Sequence, residues 1–116
     1  MNENSILLRE ATYHDKDQIA KVLLDFYNMK DADEAAQSFN NELDKDFHYI
    51  VAEEAGKIIG LVTWLIHGLP KHGLFELDRI CILSEARGKG VGRKLVDKLI
   101  DNASKWYDNE SEKIRK

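Results

Sequence analysis

The chain has 116 residues, of which 43% are hydrophobic, and its formal net charge is −4 at pH 7. This length suits one domain rather than two, and the negative charge argues against general nucleic-acid binding, which needs a basic face. The single cysteine excludes an internal disulfide framework, and no apolar run approaches the roughly 20 residues that span a bilayer. Because the N-terminus has no recognisable secretion signal, we expect a cytoplasmic protein.

The first half of the chain predicts one strand and two helices. Ile6–Glu10 is a short apolar strand, and Thr12 or Asp15 can cap the helix that follows it. Apolar residues then recur at helical spacing: Ile19, Val22, Leu23 and Phe26. A second, weaker helical pattern covers residues 31–43.

Three strands and a final helix are predicted from the second half. Residues 47–53 are rich in strand-forming side chains, and the reversal at residues 55–57 pairs them with residues 58–66 in an antiparallel hairpin. Apolar residues on both faces of 58–66 indicate a central, covered strand. After a loop that contains Pro70, residues 74–83 form the next strand. The predicted order is β-α-α-β-β-β-α.

The most informative stretch is residues 77–92, which read LDRICILSEARGKGVG. An apolar strand passes through glycines into a helix whose apolar stripe begins at Val91. The first N–H groups of a helix have no partner within it, and the helix dipole is positive there. Glycines let an anion approach the backbone closely. The sequence therefore predicts a phosphate site formed by Arg87, Gly88, Lys89, Gly90, Val91 and Gly92, with further positive charge from Arg93.

Two familiar phosphate-binding loops do not fit this stretch. The loop of nucleotide triphosphatases needs four residues between its first glycine and a Gly-Lys-Ser/Thr triplet, and that spacing is absent. A dinucleotide fold needs Gly-x-Gly-x-x-Gly, but Arg93 occupies the place of the third glycine. A glycine-rich turn without any ligand is the remaining structural alternative.

The stretch resembles the acetyl-CoA pyrophosphate loop of the GCN5-related N-acetyltransferases, which reads Gln/Arg-x-x-Gly-x-Gly/Ala. Arg87, Gly90 and Gly92 match that pattern, and residues 8–12 look like the family's opening strand. The resemblance covers about residues 6–107. It implies an α+β fold with a mixed, mainly antiparallel sheet flanked by helices, acetyl-CoA as cosubstrate and no metal. It also implies acetyl transfer to a primary amine, with a small molecule or polyamine favoured over a protein.

The resemblance further implies roles for residues on the strand before the loop. Main-chain groups of Ile80, Cys81 and Ile82 would bind the pantetheine chain and the thioester oxygen. Glu76 is our candidate for the catalytic base, because partial burial would raise its pKa toward neutrality. A solvated carboxylate, or a partner of Arg79, is the alternative for Glu76. Asp78 is a weaker candidate for the base.

The remaining reactive side chains give weaker signals. Tyr27, Met29 and Trp64 could line an acceptor pocket, although apolar residues at such positions usually belong to a core. The four histidines lack metal-ligand spacing. Cys81 lies in an apolar strand and is expected to be an inert buried thiol.

Family members usually continue with another strand, a helix and closing strands. Here residues 108–116 read as a polar tail, so we expect a domain over residues 1–107 and disorder beyond it. No segment matches the family's tyrosine that protonates the CoA thiolate, and Tyr107 does not lie in that context. The strand over 74–83 would then have an open edge, which predicts a homodimer. The alternatives are a fragment of a longer enzyme, or a non-catalytic domain that binds CoA or pairs with a protein.

Overall fold

The computed structural model describes residues 6–26, 31–43, 47–67 and 74–115. It contains four strands: β1 (Ile6–Glu10), β2 (Phe47–Glu54), β3 (Lys57–His67) and β4 (Leu74–Ile82). It also contains three α-helices: α1 (Lys16–Phe26), α2 (Ala32–Leu43) and α3 (Val91–Arg115). The predicted order β-α-α-β-β-β-α is confirmed.

The four strands form an antiparallel sheet in the order β1-β2-β3-β4. The predicted hairpin joins β2 and β3 through Ala55 and Gly56, whose φ angles are 53° and 81°. A register shift separates Thr63 from Trp64 in the β3–β4 pairing, because Thr63 lies opposite Arg79 and Trp64 lies opposite Leu77. Asp78 is therefore the extra residue of a β-bulge, a feature that re-aims side chains locally.

The helices cover both faces of the sheet. Tyr49 of β2 contacts Phe39 of α2, with ring centroids 5.0 Å apart, whereas its neighbour His48 lies 6.2 Å from Trp106 of α3. Because successive side chains of a strand point to opposite faces, α2 and α3 lie on opposite sides. Helix α1 packs beside α2 and against β3 and β4. The sheet is thus buried between two helical layers.

Helix α3 lies close to the sheet at Gly60. A Cβ atom there would lie 2.8 Å from the Cδ1 atom of Ile82 and 3.4 Å from the Cδ1 atom of Leu95. A larger residue at this position would therefore require the Ile82 side chain to shift and would crowd the Cys81 carbonyl and Leu95. This close contact fixes the start of α3 relative to the end of β4.

The structure differs from the sequence prediction at the C-terminal end. Residues 108–115, predicted as a disordered tail, continue α3 to Arg115. This stretch contains neither glycine nor proline, and its Glu, Lys and Arg residues are good helix formers. An i,i+4 ion pair between Lys105 and Asp101 supports the preceding turn. Among the described residues, no helix combines the length and the apolar character required to cross a membrane.

Candidate functional site

The connection between β4 and α3 is a short turn built on two glycines. One 3-10 turn, Ser84–Ala86, is followed by Gly88 and Gly90 at φ angles of 85° and 76°. These left-handed conformations strongly favour glycine. A Cβ atom on either residue would meet no described atom within 4 Å. Packing therefore does not require these glycines, and the side where their Cβ atoms would lie is open.

Contacts with the rest of the fold hold this turn in place. The Leu83 N–H donates to the Ile59 carbonyl at 2.9 Å, and the Ser84 N–H donates to the Asp25 carboxylate at 3.1 Å. The Arg87 guanidinium donates back to the carbonyl of Ile82 at 3.3 Å. Beyond the turn, Val91 is buried. Both ends of the turn are thus anchored while its middle is exposed.

The start of α3 adds unpaired amides and positive charge to the turn. The Lys94 N–H donates to the Gly90 carbonyl at 3.2 Å, so the amides of residues 91–93 precede the first intrahelical bonds. Arg87, Lys89 and Arg93 are exposed, and they make no ion pair with the residues that the structure describes. The arrangement has the geometry and charge of an anion-binding site.

Strand β4 is the last strand of the described sheet, and its backbone groups alternate in direction. Because the Leu83 N–H donates to the Ile59 carbonyl, these two residues form a hydrogen-bonded pair. Such pairs occur at every second residue of an antiparallel ladder, so Cys81 and Leu61 form the next one. The backbone groups of Ile80 and Ile82 therefore point away from β3, toward the edge of the sheet. Cys81 differs from both, because its backbone faces β3 and its side chain is fully buried. Of these three predicted ligand residues, two present backbone groups at the edge.

The candidate base Glu76 lies on β4 opposite Leu65, and its side chain is exposed. The partial burial on which the sequence argument depended is therefore absent. Asp78 lies at the bulge, where its carboxylate accepts a hydrogen bond from Thr63 at 3.2 Å and lies 3.3 Å from the Arg79 guanidinium. Both carboxylates lie on the strand that leads to the turn.

A buried polar cluster lies under the bulge, on the face that α2 covers. Arg79 pairs with Glu42 of α2 and donates to the Tyr49 hydroxyl at 2.6 Å, and this hydroxyl donates to Glu42. Burial raises the pKa of Tyr49, and the hydrogen bond to Glu42 raises it further. The sequence analysis did not identify Glu42, although its spacing from Ala35 and Phe39 places it on the inward stripe of α2.

The other candidate residues do not join this site. Trp64 is buried on the α3 face, beside Trp106, whereas Tyr27 and Met29 lie outside the described residues. The backbone of Tyr107 belongs to α3. In the described part of the chain, no group of three or more potential ligands could hold a metal ion.

Three features thus follow one another along the chain: an exposed strand edge, an open glycine turn and a helix N-terminus. This arrangement suits the binding of an extended anionic ligand. The model of the acetyltransferase (GNAT) family matches residues 12–114. The chain therefore belongs to the GNAT family of acetyltransferases, as its sequence resemblance predicts. A comparison with curated proteins finds no match.

Solved structures share this fold. A GNAT-family acetyltransferase from Staphylococcus aureus is 19% identical, with a TM-score of 0.76, and the match covers 89% of this chain and 81% of that one. A GNAT-family protein from Desulfovibrio desulfuricans is 18% identical, with a TM-score of 0.72 and coverages of 85% and 66%. The PaiA N-acetyltransferase from Thermoplasma acidophilum, in complex with coenzyme A, is 17% identical, with a TM-score of 0.67 and coverages of 87% and 73%. At these identities the similarity concerns the fold alone.

Proposed function

We propose that this chain binds acetyl-CoA at the turn between β4 and α3 and transfers the acetyl group to a primary amine. The observation that carries the proposal is the pair of left-handed glycines, Gly88 and Gly90, at the open mouth of a helix. Membership of the GNAT family and the coenzyme A bound to the T. acidophilum relative support it. The diphosphate of the cofactor would accept hydrogen bonds from the amides of residues 91–93 and attract Arg87, Lys89 and Arg93.

The rest of the cofactor would follow the exposed edge of β4. The backbone groups of Ile80 and Ile82 that face away from β3 can pair with the amides of the pantetheine chain, as a neighbouring strand would. An N–H group at this edge can also donate to the thioester oxygen. This bond would strengthen as negative charge develops on that oxygen during attack.

In the proposed reaction, a primary amino group of the acceptor in its uncharged form uses its nitrogen lone pair to attack the thioester carbon. The carbon–sulfur bond then breaks, and the electron pair leaves with the CoA thiolate. The nitrogen loses one proton, and we assign its acceptance to the Glu76 carboxylate. The products are an N-acetylated amine and CoA.

We propose a cationic small molecule or polyamine, rather than a protein, as the acceptor. Three carboxylates lie on or beside the middle of β4, namely those of Glu42, Glu76 and Asp78, and Arg79 contacts two of them. Together with the overall charge of −4, they would attract a positively charged amine. A Coulombic contribution of this kind should weaken as salt increases.

The proposal is tested by thermal unfolding with acetyl-CoA and by thiol release with a panel of amines and polyamines. We expect acetyl-CoA to raise the melting temperature and at least one amine to release thiol. Glu76→Gln should lower thiol release about 100-fold while the stabilisation by acetyl-CoA is retained. Asp78→Asn is the matched variant, and it should keep the greater part of the activity.

Stabilisation by acetyl-CoA without thiol release from any amine would instead favour a domain that binds CoA without catalysis. If acetyl-CoA gives no stabilisation at all, both functions are wrong. If Asp78→Asn abolishes thiol release while Glu76→Gln retains it, the base has been assigned to the wrong carboxylate.

We further propose that the part of the β4 edge before the Asp78 bulge, which the pantetheine chain leaves free, pairs with a second copy of the chain. In the described sheet β4 bonds to β3 on one side only, and an edge strand with apolar residues favours pairing with another strand. Sedimentation at tens of micromolar should show a dimer. A single monomer species at that concentration would contradict the pairing.

A further inference from the structure

A cleft of about 260 Å³ lies on the α3 side of the sheet. Three strands contribute one residue each to its lining, and α3 contributes four: Glu10, His48, Trp64, Asn102, Lys105, Trp106 and Asn109. The helical residues occupy positions i, i+3, i+4 and i+7 and so share one face of α3. We call this cavity the aromatic cleft.

The aromatic cleft is remote from the proposed cofactor turn. Trp106 follows Val91, the first residue of α3, by 15 positions. At about 1.5 Å per residue, the two ends of this segment lie roughly 22 Å apart along the helix axis. The cleft thus lies away from the proposed cofactor turn. It also lies on the opposite face of the sheet from Glu76, because Glu76 pairs with Leu65, the neighbour of Trp64 in β3.

Aromatic rings form two walls of the cleft at a steep angle. His48 stacks on Trp64 with centroids 4.2 Å apart and an interplanar angle of 16°. Trp106 stands at 79° to Trp64 and at 67° to His48, with centroids 6.4 Å and 6.2 Å away. Trp64 is buried, whereas His48 and Trp106 are half-buried. These two partly exposed rings can therefore contact a ligand.

Two charged side chains line the cleft, Glu10 and Lys105, and the total becomes negative when Asp101, the partner of Lys105, is included. Lys105 pairs with Asp101 at 3.1 Å, so its charge is largely compensated within α3. The Glu10 carboxylate has no cationic partner among the described residues. The face of the Trp106 ring attracts cations through its quadrupole, and a nearby carboxylate adds Coulombic attraction.

We propose that the aromatic cleft binds a small organic cation that carries an alkylated ammonium group. Its methyl groups would pack against His48 and Trp106, while Glu10 would balance its charge. The volume lies just below the range of about 300–1,000 Å³ that is usual for drug-sized ligands, so the ligand should be small. A metal ion does not fit, because the described residues offer no group of ligands for one.

The two tryptophans of the chain both line the cleft, so intrinsic fluorescence reports on this site. Choline is the probe, and 3,3-dimethylbutan-1-ol, which has the same shape without the charge, is its matched control. We expect choline to change the emission saturably and to bind at least ten times more tightly than the neutral alcohol. Equal affinities, or no response to choline, would overturn the proposal.

Variants separate this site from a general charge effect. Glu10→Gln should weaken choline binding three- to tenfold and leave the binding of the neutral alcohol unchanged, whereas Asp97→Asn, on an exposed position of α3, should leave both unchanged. Trp106→Leu should weaken choline binding strongly while circular dichroism shows a folded protein. Equal effects of Glu10→Gln and Asp97→Asn on choline binding would contradict the assignment.

A free ammonium compound and a trimethylated lysine side chain share this chemistry. Titration with choline and with a short trimethyllysine peptide distinguishes the two sources, because the natural type of ligand should bind more tightly. Saturating acetyl-CoA should leave the choline titration unchanged, since the two regions lie far apart. The choline titration therefore tests ligand binding in the aromatic cleft whether or not the proposed acetyl transfer occurs.

Discussion

Arginines and lysines on and just after β4 form two groups with opposite surroundings. Arg79, in the strand, has its charge satisfied inside the fold by Glu42 and Asp78 and donates to the Tyr49 hydroxyl. Arg87, Lys89 and Arg93, on the turn and the first turn of α3, are exposed and have no ion pair within the described chain. Within fewer than fifteen residues, the chain thus contains one cation that is paired inside the fold and three that are exposed without an ion pair in the described chain.

Because of this difference, the paired cation should matter mainly for the stability of the fold, and the exposed cations should matter mainly for ligand binding. A partly buried cation with two carboxylates is part of the fold, because removing it leaves carboxylates without their cation in a poorly solvated place. An exposed cation beside unpaired helix amides adds little to stability, but it can attract an anion. Substitutions in the two groups should therefore change different measurements.

The largest effect on stability should come from Arg79→Met. This change leaves Glu42 beside the buried Tyr49 without its cation, so the free energy of unfolding should fall by about 3 kcal/mol. Urea denaturation measures the loss. Arg93→Met, in the exposed group, should change it by less than about 0.5 kcal/mol. If Arg79→Met and Arg93→Met lowered the free energy of unfolding equally, the distinction between paired and exposed cations would be wrong.

Two glycines with similar backbone angles, one in the β4–α3 turn and one in the β2–β3 hairpin, allow backbone strain to be separated from cofactor binding. Gly90 and Gly56 have φ angles of 76° and 81°, and a Cβ atom on either would meet no described atom within 4 Å. Gly90→Ala and Gly56→Ala should each cost about 1–2 kcal/mol of stability. Calorimetric titration should show that only Gly90→Ala weakens acetyl-CoA binding, by tenfold or more. A similar loss of affinity in both variants would indicate a general effect of strain.

Arg9 is a second internally paired cation, and its pairing predicts a pH effect. Arg9 bonds the buried Asp15 at 2.8 Å and 2.9 Å and lowers the pKa of that carboxyl below its ordinary value. Asp15 should therefore stabilise the fold at neutral pH and lose this contribution as the pH falls below about 4. In Asp15→Asn, the loss of stability between pH 5 and pH 3 should be smaller. Identical pH profiles from denaturation would contradict this assignment.

The smallest effect should come from Lys89→Gln in the exposed group. Removing one solvated charge should weaken acetyl-CoA binding about threefold at low salt, with no change in the melting temperature of the free protein. The difference should largely disappear at high salt, because screening acts on exposed charges. A salt-independent loss would indicate a direct, buried contact.

The sequence predicted the order of elements because hydrophobic periodicity changes visibly from one element to the next. It also predicted the turn at residues 87–92, since glycines between an apolar strand and a helical stripe have few structural explanations. The bulge at Asp78 could not be predicted, because it depends on the register between β3 and β4. Because Asp78 is the extra residue of the bulge, Glu76 and Asp78 do not follow the simple alternation of a regular strand.

Other features depend on packing across long sequence distances. The pairing of Glu42 with Arg79 joins residues 37 positions apart and needs α2 to lie over β4. The aromatic cleft combines residues from β1, β2, β3 and α3, so no local sequence pattern predicts it. The extension of α3 to Arg115 was missed because a strongly charged segment was interpreted as disordered, although its residues favour a helix.

The central claim is that main-chain amides at the start of α3 hold the cofactor, and amide NMR spectra recorded with and without acetyl-CoA test it most directly. We predict that the largest shifts occur at residues 88–93, with smaller ones at Ile80 and Ile82, while the signal of Gly56 in the other glycine turn stays unchanged. The claim would be contradicted if acetyl-CoA left the signals of residues 88–93 in place.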